Sequence, residues 1–291
     1  MPSDKLKSYL RLHLIVFIWG FTAVLGALIS LNALPLVWFR MSIALVFIAI
    51  YIAYKRFSLK IPTKTIIGFL FAGLIIALHW FTFFKAIKVS NISVTLACLS
   101  TGALFTSFLD PLLRGRKIIW YEVFFGIIVV IGLFIIFEVE GEYTHGILLA
   151  LTSAFLSALF SVINSKFAQT YNASVISFFE ILGGILFLSL YLVFTHSFNA
   201  QFFKISASDW MYLGILSSIC TAYAFIASVK VMQYLSSYTV MLTINLEPLY
   251  GIILAVIVFK DKEKMSPAFY LGALIILATV ITNGIVKHYK K

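Results

Sequence analysis

The sequence predicts an all-α membrane protein, with ten transmembrane helices arranged as two inverted five-helix repeats and with both termini in the cytoplasm. Three observations support this fold class: the composition, the lengths of the apolar segments and a correspondence between the two halves. Hydrophobic residues make up 62% of the 291 residues and charged residues only 11%. Soluble domains have about 45–50% hydrophobic residues and about 25% charged residues. Too little polar surface remains to cover a soluble fold, which excludes a large soluble catalytic domain.

The apolar segments are each close to the roughly 20 residues that a membrane helix needs. Because a lipid-exposed backbone must satisfy its own hydrogen bonds, we expect these segments to be helices. The first one follows a basic stretch as in a signal peptide, but its length and the lack of a clear cleavage site favour an uncleaved span. The ten predicted spans are residues 12–30, 34–54, 65–85, 91–113, 118–137, 146–165, 174–195, 209–229, 234–259 and 266–286.

The net charge of +11 comes mostly from Lys and Arg clusters between the apolar segments. This is the pattern of membrane topology, and no basic face suited to a nucleic acid is visible. If the N-terminus is cytoplasmic, fifteen Lys and Arg lie in inner segments and six in outer ones. The positive-inside rule therefore predicts that both termini are in the cytoplasm. The outer loop with Lys260, Lys262 and Lys264 fits this orientation least well.

The two halves of the chain correspond to each other. A shift of 146 residues aligns Gly102 with Pro248, and the same shift aligns Arg114 with Lys260. Five helices per half require the second half to enter from the opposite side, so we expect an inverted repeat with a site near the midplane. The predicted units are a cytoplasmic tail (1–11), a first repeat (12–137), an acidic external linker (138–145), a second repeat (146–286) and a basic cytoplasmic tail (287–291).

Four predicted spans have polar residues at helical spacing, which is typical of helices that line a watery cavity. For each stripe alone, the favoured interpretation is that small residues let helices pack closely. Four stripes, one of them with an acid, favour a shared central cavity. They are Ser93, Ser100 and Ser107 in span 4; Ser153, Ser157, Ser161 and Asn164 in span 6; Ser217, Thr221 and Ser228 in span 8; and Ser236, Thr239, Thr243, Glu247 and Tyr250 in span 9.

Glu247-Pro248 in span 9 is the sharpest local signal. A carboxylate near mid-membrane costs roughly 2.5–3.5 kcal/mol, so it should face a cavity or a partner. Pro248 has no N–H and disfavours helical geometry at Glu247, which predicts a break in the helix. The alternative is a structural kink in which a neutral Glu247 is hydrogen-bonded to Asn245 or to a serine.

The spans contain other charged or titratable residues, and two of them, Arg40 and His79, have two interpretations each. Arg40 either extends outward to the membrane surface or attracts an anionic substrate group. His79 either satisfies a backbone carbonyl or carries protons. Asp110 is expected to have a helix-end role and Lys85 to lie at the interface, whereas the sequence does not settle a role for Glu180.

The sequence has no motif for zinc hydrolysis, nucleophilic catalysis or phosphate binding. Cys98 and Cys220 lie inside apolar segments without a nearby cysteine or histidine partner, so neither a disulfide nor a zinc site is predicted. We therefore expect no catalytic residues, no metal and no cofactor.

The ten short-looped spans, Trp19-Gly20, Arg40 after aromatic residues and Leu246-Glu247-Pro248-Leu249 together resemble the drug/metabolite transporter superfamily, specifically its EamA-type members. The resemblance covers essentially the whole chain. It implies a central cavity framed by the first four helices of each half, with the fifth and tenth helices peripheral. Gly102 stands where the first half usually has proline, and Asp110-Pro111 is the candidate for its displaced equivalent.

The resemblance implies a secondary transporter that exports or exchanges a small metabolite, such as an amino acid, across the inner (plasma) membrane. The expected partners are the small-molecule substrate, the lipid bilayer and a coupling proton. The alternatives are an intramembrane enzyme for lipids or isoprenoids and a passive channel. The predicted site has Glu247 as the proton- or substrate-responsive group, Arg40 and His79 for charge and hydrogen bonding, Trp19, Trp80 and Tyr250 as cavity walls, Thr243 and Asn245 beside the acid, and Pro248 at the helix break.

Overall fold

The computed structural model describes residues 4–115, 120–139 and 141–289, and the regular structure within these ranges is helical throughout. Arg116, Lys117, Lys290 and Lys291, which enter the orientation prediction, lie outside the described residues. The helices are α1 Asp4–Leu28, α2 Ala33–Lys55, α3 Thr63–Val89, α4 Ile92–Leu99, α5 Gly102–Arg114, α6 Trp120–Val139, α7 Thr144–Phe167, α8 Ala173–Phe194, α9 Ala207–Ser217, α10 Ala224–Val231, α11 Ser237–Ile244, α12 Glu247–Phe259 and α13 Pro267–Tyr289.

Eight helical stretches in the described ranges are long and apolar enough to cross a membrane. Five of them are single helices, and α4–α5, α9–α10 and α11–α12 each join into one more stretch. Two shorter apolar helices, Phe124–Ile136 and Pro267–Asn283, occupy the positions of predicted spans 5 and 10. The all-helical membrane class is therefore confirmed, whereas the count of ten spans and the cytoplasmic termini stay predictions.

Helix α1 begins at Asp4, eight residues before the predicted first span. No glycine or proline interrupts residues 4–12, and Asp4 in the first turn suits the positive end of the helix dipole. The hydroxyl of Ser8 donates to the Asp4 carbonyl at 2.8 Å. The segment predicted as a tail is therefore helical from Asp4 onward.

Predicted spans 4 and 9 are both broken in the middle. Turns at residues 100–101 and 245–246 separate α4 from α5 and α11 from α12. Pro248 lies in the first turn of α12, where its missing N–H has no helical partner to lose. Pro111 lies inside α5 without ending it, so Asp110-Pro111 is not the displaced equivalent of Pro248.

The break in the first half needs no proline because side-chain hydroxyls take the place of backbone donors. Ser100 donates to the Ala97 carbonyl at 2.5 Å and Thr101 to the Cys98 carbonyl at 2.7 Å. Such local bonds compete with the helical pattern. Helix α5 then starts at Gly102, the residue that the shift of 146 aligns with Pro248.

Packing between the two halves follows a reciprocal pattern. Helix α1 packs against α12 and α10, while in the other half α7 packs against α5, α4 and α3. Helix α3 also contacts α8, and α2 contacts α8 and α9. Helices α6 and α13 pack mainly on each other, which leaves α1–α5 and α7–α12 to form the centre of the bundle.

Helices α3 and α8 cross with their backbones in direct contact. A Cβ atom on Gly73 would overlap the Glu180 carbonyl oxygen and would lie 2.9 Å from the Gly184 nitrogen. A Cβ atom on Gly183 would lie 2.6 Å from the Leu70 carbonyl oxygen. Small residues allow this approach, which supplies van der Waals packing where lipid provides no hydrophobic driving force between helices.

Gly73→Ala is expected to destabilise the protein by about 1–3 kcal/mol, because backbone atoms of α8 cannot move aside as a side chain would. Thermal unfolding in detergent measures the effect as a lowered Tm. Gly214→Ala is the matched control, since nothing lies within 4 Å of its added Cβ atom and it also sits within a helix. An equal Tm for both variants would contradict the α3–α8 contact.

Candidate functional site

A cavity of about 70 Å³ lies between the two halves of the bundle. That volume has room for a few water molecules and is several-fold smaller than the roughly 300–1,000 Å³ of pockets for drug-sized ligands. Its walls are mainly aromatic and aliphatic. The aromatic side chains are Trp19, Trp80 and Phe83 from the first half and Phe160 and Phe225 from the second.

Arg40 contributes a buried cation to this cavity. Its side chain is 2% exposed, and its Nε donates to the Thr221 hydroxyl at 2.7 Å. The guanidinium carbon lies 4.0 Å from the centroid of the Trp80 ring, a cation–π contact. Its Nη1 has no hydrogen-bond partner among the described residues. The outward-extending interpretation therefore does not hold, and an unpaired donor remains beside the cavity.

A π-helical turn at Ser218–Tyr223 connects α9 to α10 and positions the partner of Arg40. Thr221 lies in this turn and donates its hydroxyl to the Leu216 carbonyl at 2.7 Å, five residues earlier. Trp19 donates its indole N–H to the Cys220 carbonyl of the same turn at 3.1 Å. Widened turns of this kind leave backbone groups free for such contacts and are frequent at functional sites.

Glu247 contributes an acid to the same cavity from the second half. It is the first residue of α12 and 6% exposed, so its carboxyl group sits at the positive end of a helix dipole. No hydrogen bond reaches its side chain from any residue that the structure describes. The bond from Asn245 considered in the alternative is absent, because Asn245 Nδ2 is buried without a partner in the described ranges.

His79 lines the cavity through a ring that is anchored on α7. Its Nδ1 lies 2.9 Å from the Ser153 carbonyl oxygen, and the Ser153 hydroxyl donates to the His79 carbonyl at 3.0 Å. A carbonyl oxygen only accepts, so Nδ1 carries the proton and Nε2 is the basic nitrogen. This is the carbonyl-satisfying arrangement, which fixes the orientation of the ring.

The structure brings five of the eight predicted binding residues to the cavity: Trp19, Arg40, His79, Trp80 and Glu247. The others lie elsewhere. The Thr243 hydroxyl donates to the Thr239 carbonyl at 2.9 Å, and Tyr250 packs edge-on against Phe17 with ring centroids 5.5 Å apart. Tyr250 also packs closely against α1, since a Cβ atom on Gly20 would lie 2.7 Å from the Tyr250 Cβ.

Some lining residues were visible in the polar stripes and others were not. Ser157, Ser161 and Ser228 belong to predicted stripes and line the cavity. Sequence reasoning did not single out Thr22, Phe83, Phe160, Phe225 or Met232. The aromatic and aliphatic members of this set give no sequence signal for a cavity, because the same residue types also face lipid.

Glu180 belongs to a different buried cluster between α7 and α8. Its side chain is 0% exposed, and Asn164 Nδ2 donates to its Oε2 at 3.1 Å. Its Oε1 has no partner among the described residues. Neither Glu180 nor Asn164 lines the central cavity, so Glu180 is a buried acid separate from the site of Glu247.

Comparison with known proteins identifies this architecture. The model of the EamA-like transporter family matches residues 6–138 and again residues 144–284. Twenty-six solved chains match the structure. One crystal structure aligns with a TM-score of 0.70 at 17% identity, over 95% of this chain and 98% of its own. At that identity the likeness shows the fold. No curated protein matches the sequence.

The two family matches together span nearly the whole chain, one for each half, and the halves enclose the cavity described above. Members of this family are transporters rather than enzymes. The chain therefore belongs to the EamA-like transporter family of the drug/metabolite transporter superfamily and is a multi-pass membrane transporter of small solutes.

Proposed function

We propose that this chain is a secondary active transporter that exports or exchanges a small metabolite across the inner membrane by alternating access. The observation that carries the proposal is the pair of buried opposite charges, Arg40 and Glu247, in one small cavity between the halves. Buried charges in a membrane are costly and usually serve function. The two groups are not an ion pair within 4.0 Å in the described structure, so both can engage a ligand.

A zwitterion such as an amino acid matches this arrangement. Its carboxylate fits Arg40, whose Nη1 has no hydrogen-bond partner in the described part of the chain, because guanidinium recognises carboxylates by charge and by paired donors. Its ammonium group fits the Glu247 carboxylate, which no described donor occupies. The aromatic walls suit an apolar side chain, and the small volume restricts the bound form to a small substrate.

The ends of the bundle differ in a way that suits alternating access. At the predicted outer end, the Asp209 carboxylate accepts from the Ser30 N–H at 2.7 Å, and Lys88 donates to the Ile29 carbonyl. There too, Glu263 accepts from the Ile92 and Ser93 N–H groups, each at 3.0 Å. These carboxylate contacts join the two halves of the chain at this end of the bundle.

The opposite, predicted inner end of the bundle contains a further open space. A second hollow of about 240 Å³ lies there, lined by Ser165, Gln169 and residues 232–236. Met232 lines both this hollow and the central cavity. The flexible Met232 side chain is therefore the proposed gate between the two spaces, in a state closed outward in the predicted orientation.

The rival functions lack comparable support. An intramembrane enzyme would need a nucleophile activated by a base. The Ser153 hydroxyl lies 2.8 Å from His79 Nδ1, but that nitrogen carries the proton and the hydroxyl donates to the His79 carbonyl, so the serine is not activated. A passive channel would show flux that neither saturates nor counter-exchanges. Substrate identification starts from mass spectrometry of the medium of cells that overproduce the chain, compared with cells that lack it.

Glu247→Gln is expected to abolish the pH dependence of transport, because an amide of the same shape cannot take up and release a proton. Uptake of the identified substrate into proteoliposomes, measured across a pH series, checks this. Asp110→Asn is the matched control, since Asp110 is a carboxylate of α5 that contacts Ser237 outside the cavity. Glu247→Gln with an unchanged pH profile would remove Glu247 from the coupling mechanism.

Arg40→Lys is expected to raise KM for a carboxylate substrate about tenfold or more, while the charge is kept. Lysine loses the Nε donor and the flat contact with Trp80, and a hydrogen bond to a charged group is worth about 1.5–3 kcal/mol. Concentration dependence of uptake measures KM.

Thr221→Val tests the positioning of Arg40 with the substrate contacts intact. It removes the acceptor at 2.7 Å and should raise KM in the same direction but less than Arg40→Lys. Thr152→Val is the control, because within the described ranges the exposed Thr152 hydroxyl bonds only to the Leu148 carbonyl of its own helix. Equal KM values for Thr221→Val and the wild type would show that the hydrogen bond does not position the guanidinium.

A further inference from the structure

A groove of about 450 Å³ opens on the side of the bundle, away from the central cavity. Helices α1 and α2 contribute one wall, and the π-helical turn and α10 contribute the other. Its body is apolar and aromatic. Phe47, Tyr51 and Tyr223 line it and are between 41% and 48% exposed, so they face the acyl chains of the bilayer.

Two cations line the same groove. Arg11 lies in the first part of α1 and Lys230 in the last turn of α10, so both side chains lie at the same end of the bundle. The end of α2 at Lys55 lies on this side as well. Within the described residues, neither Arg11 nor Lys230 has an ion-pair partner. The groove therefore combines a long apolar floor with an uncompensated double positive charge at the level of the lipid headgroups.

We propose that this groove binds an anionic phospholipid. The phosphate would lie between Arg11 and Lys230, and an acyl chain would lie along Phe47, Tyr51 and Ile226. Charge complementarity selects this occupant, because basic pockets between membrane helices bind acidic headgroups and each surface cation contributes about 1 kcal/mol. The bilayer supplies the ligand at high local concentration. A zwitterionic lipid has the same acyl chains but no net charge to match the two cations.

The position of the groove connects it to the transport site. Ser218, Ala222 and Tyr223 of the π-helical turn form part of its wall. Thr221 of the same turn accepts the hydrogen bond from Arg40 on the cavity side. A bound lipid therefore contacts the one backbone segment that also holds the cavity cation.

Native mass spectrometry of the purified full chain, titrated with phosphatidylglycerol or phosphatidylcholine, tests the proposal. We expect tighter binding of phosphatidylglycerol by the wild type. Arg11→Gln or Lys230→Gln should weaken it about fivefold each, and the double variant about 30-fold, which corresponds to about 1 kcal/mol per cation. The Lys60→Gln/Lys64→Gln double variant is the matched control, because it removes the same charge from exposed positions in and next to the α2–α3 loop.

Three results would overturn the site. Equal affinity of the wild type for the two lipids would show that headgroup charge is not recognised. Wild-type affinity of the Arg11→Gln/Lys230→Gln variant would show that these side chains do not bind the phosphate. An equal loss in the Lys60→Gln/Lys64→Gln control would assign the effect to overall charge. Because Arg11 and Lys230 are exposed, thermal unfolding of the variants should match that of the wild type and separate binding from folding.

Discussion

The rest of this structure depends on how one guanidinium group is held in the centre of the membrane bundle. Arg40 is held by a hydrogen bond to Thr221 and by the face of Trp80, and its Nη1 has no partner among the residues that the structure describes. Such a charge is tolerated only where an opposite charge or a polar ligand shares its surroundings. The nearby acid, Glu247, comes from the other half of the chain, so the two halves must meet for either group to be stable there.

The broken helices show how a repeated architecture acquires an asymmetric site. Both halves interrupt the same helix at matching positions, with hydroxyl groups in one half and Asn245-Leu246 before Pro248 in the other. The shift of 146 residues places Thr101 where the second half has Glu247. Thr101 donates its hydroxyl to the Cys98 carbonyl, whereas no described residue donates a hydrogen bond to the Glu247 carboxyl group. Equivalent breaks thus carry a hydroxyl bonded within its own half in the first repeat and an acid that lines the cavity in the second.

Sequence alone was sufficient for features that depend on local chemistry. Hydropathy predicted the helical membrane class, and Glu247-Pro248 predicted the break in the ninth span within a few residues. The remaining features depend on which neighbour a face meets. Periodicity placed Thr243 and Tyr250 on one stripe with Glu247, yet they turn to their own helix and to α1. The π-helical turn at Ser218–Tyr223 has no composition signal, because the need for it arises from Trp19 and Arg40 on other helices.

That turn gives the strongest reason to regard the lipid-facing surface and the cavity as one system. One side of it receives bonds from Trp19 and Arg40, and the other side lines the groove that ends at Arg11 and Lys230. A π-helical turn is a local departure from α-helical geometry of a kind that is frequent at functional sites. An occupant of the groove would contact the segment that carries Thr221. In the proposed complex the bilayer would then influence the affinity of the cavity through the hydrogen bond between Arg40 and Thr221, without contact between lipid and substrate.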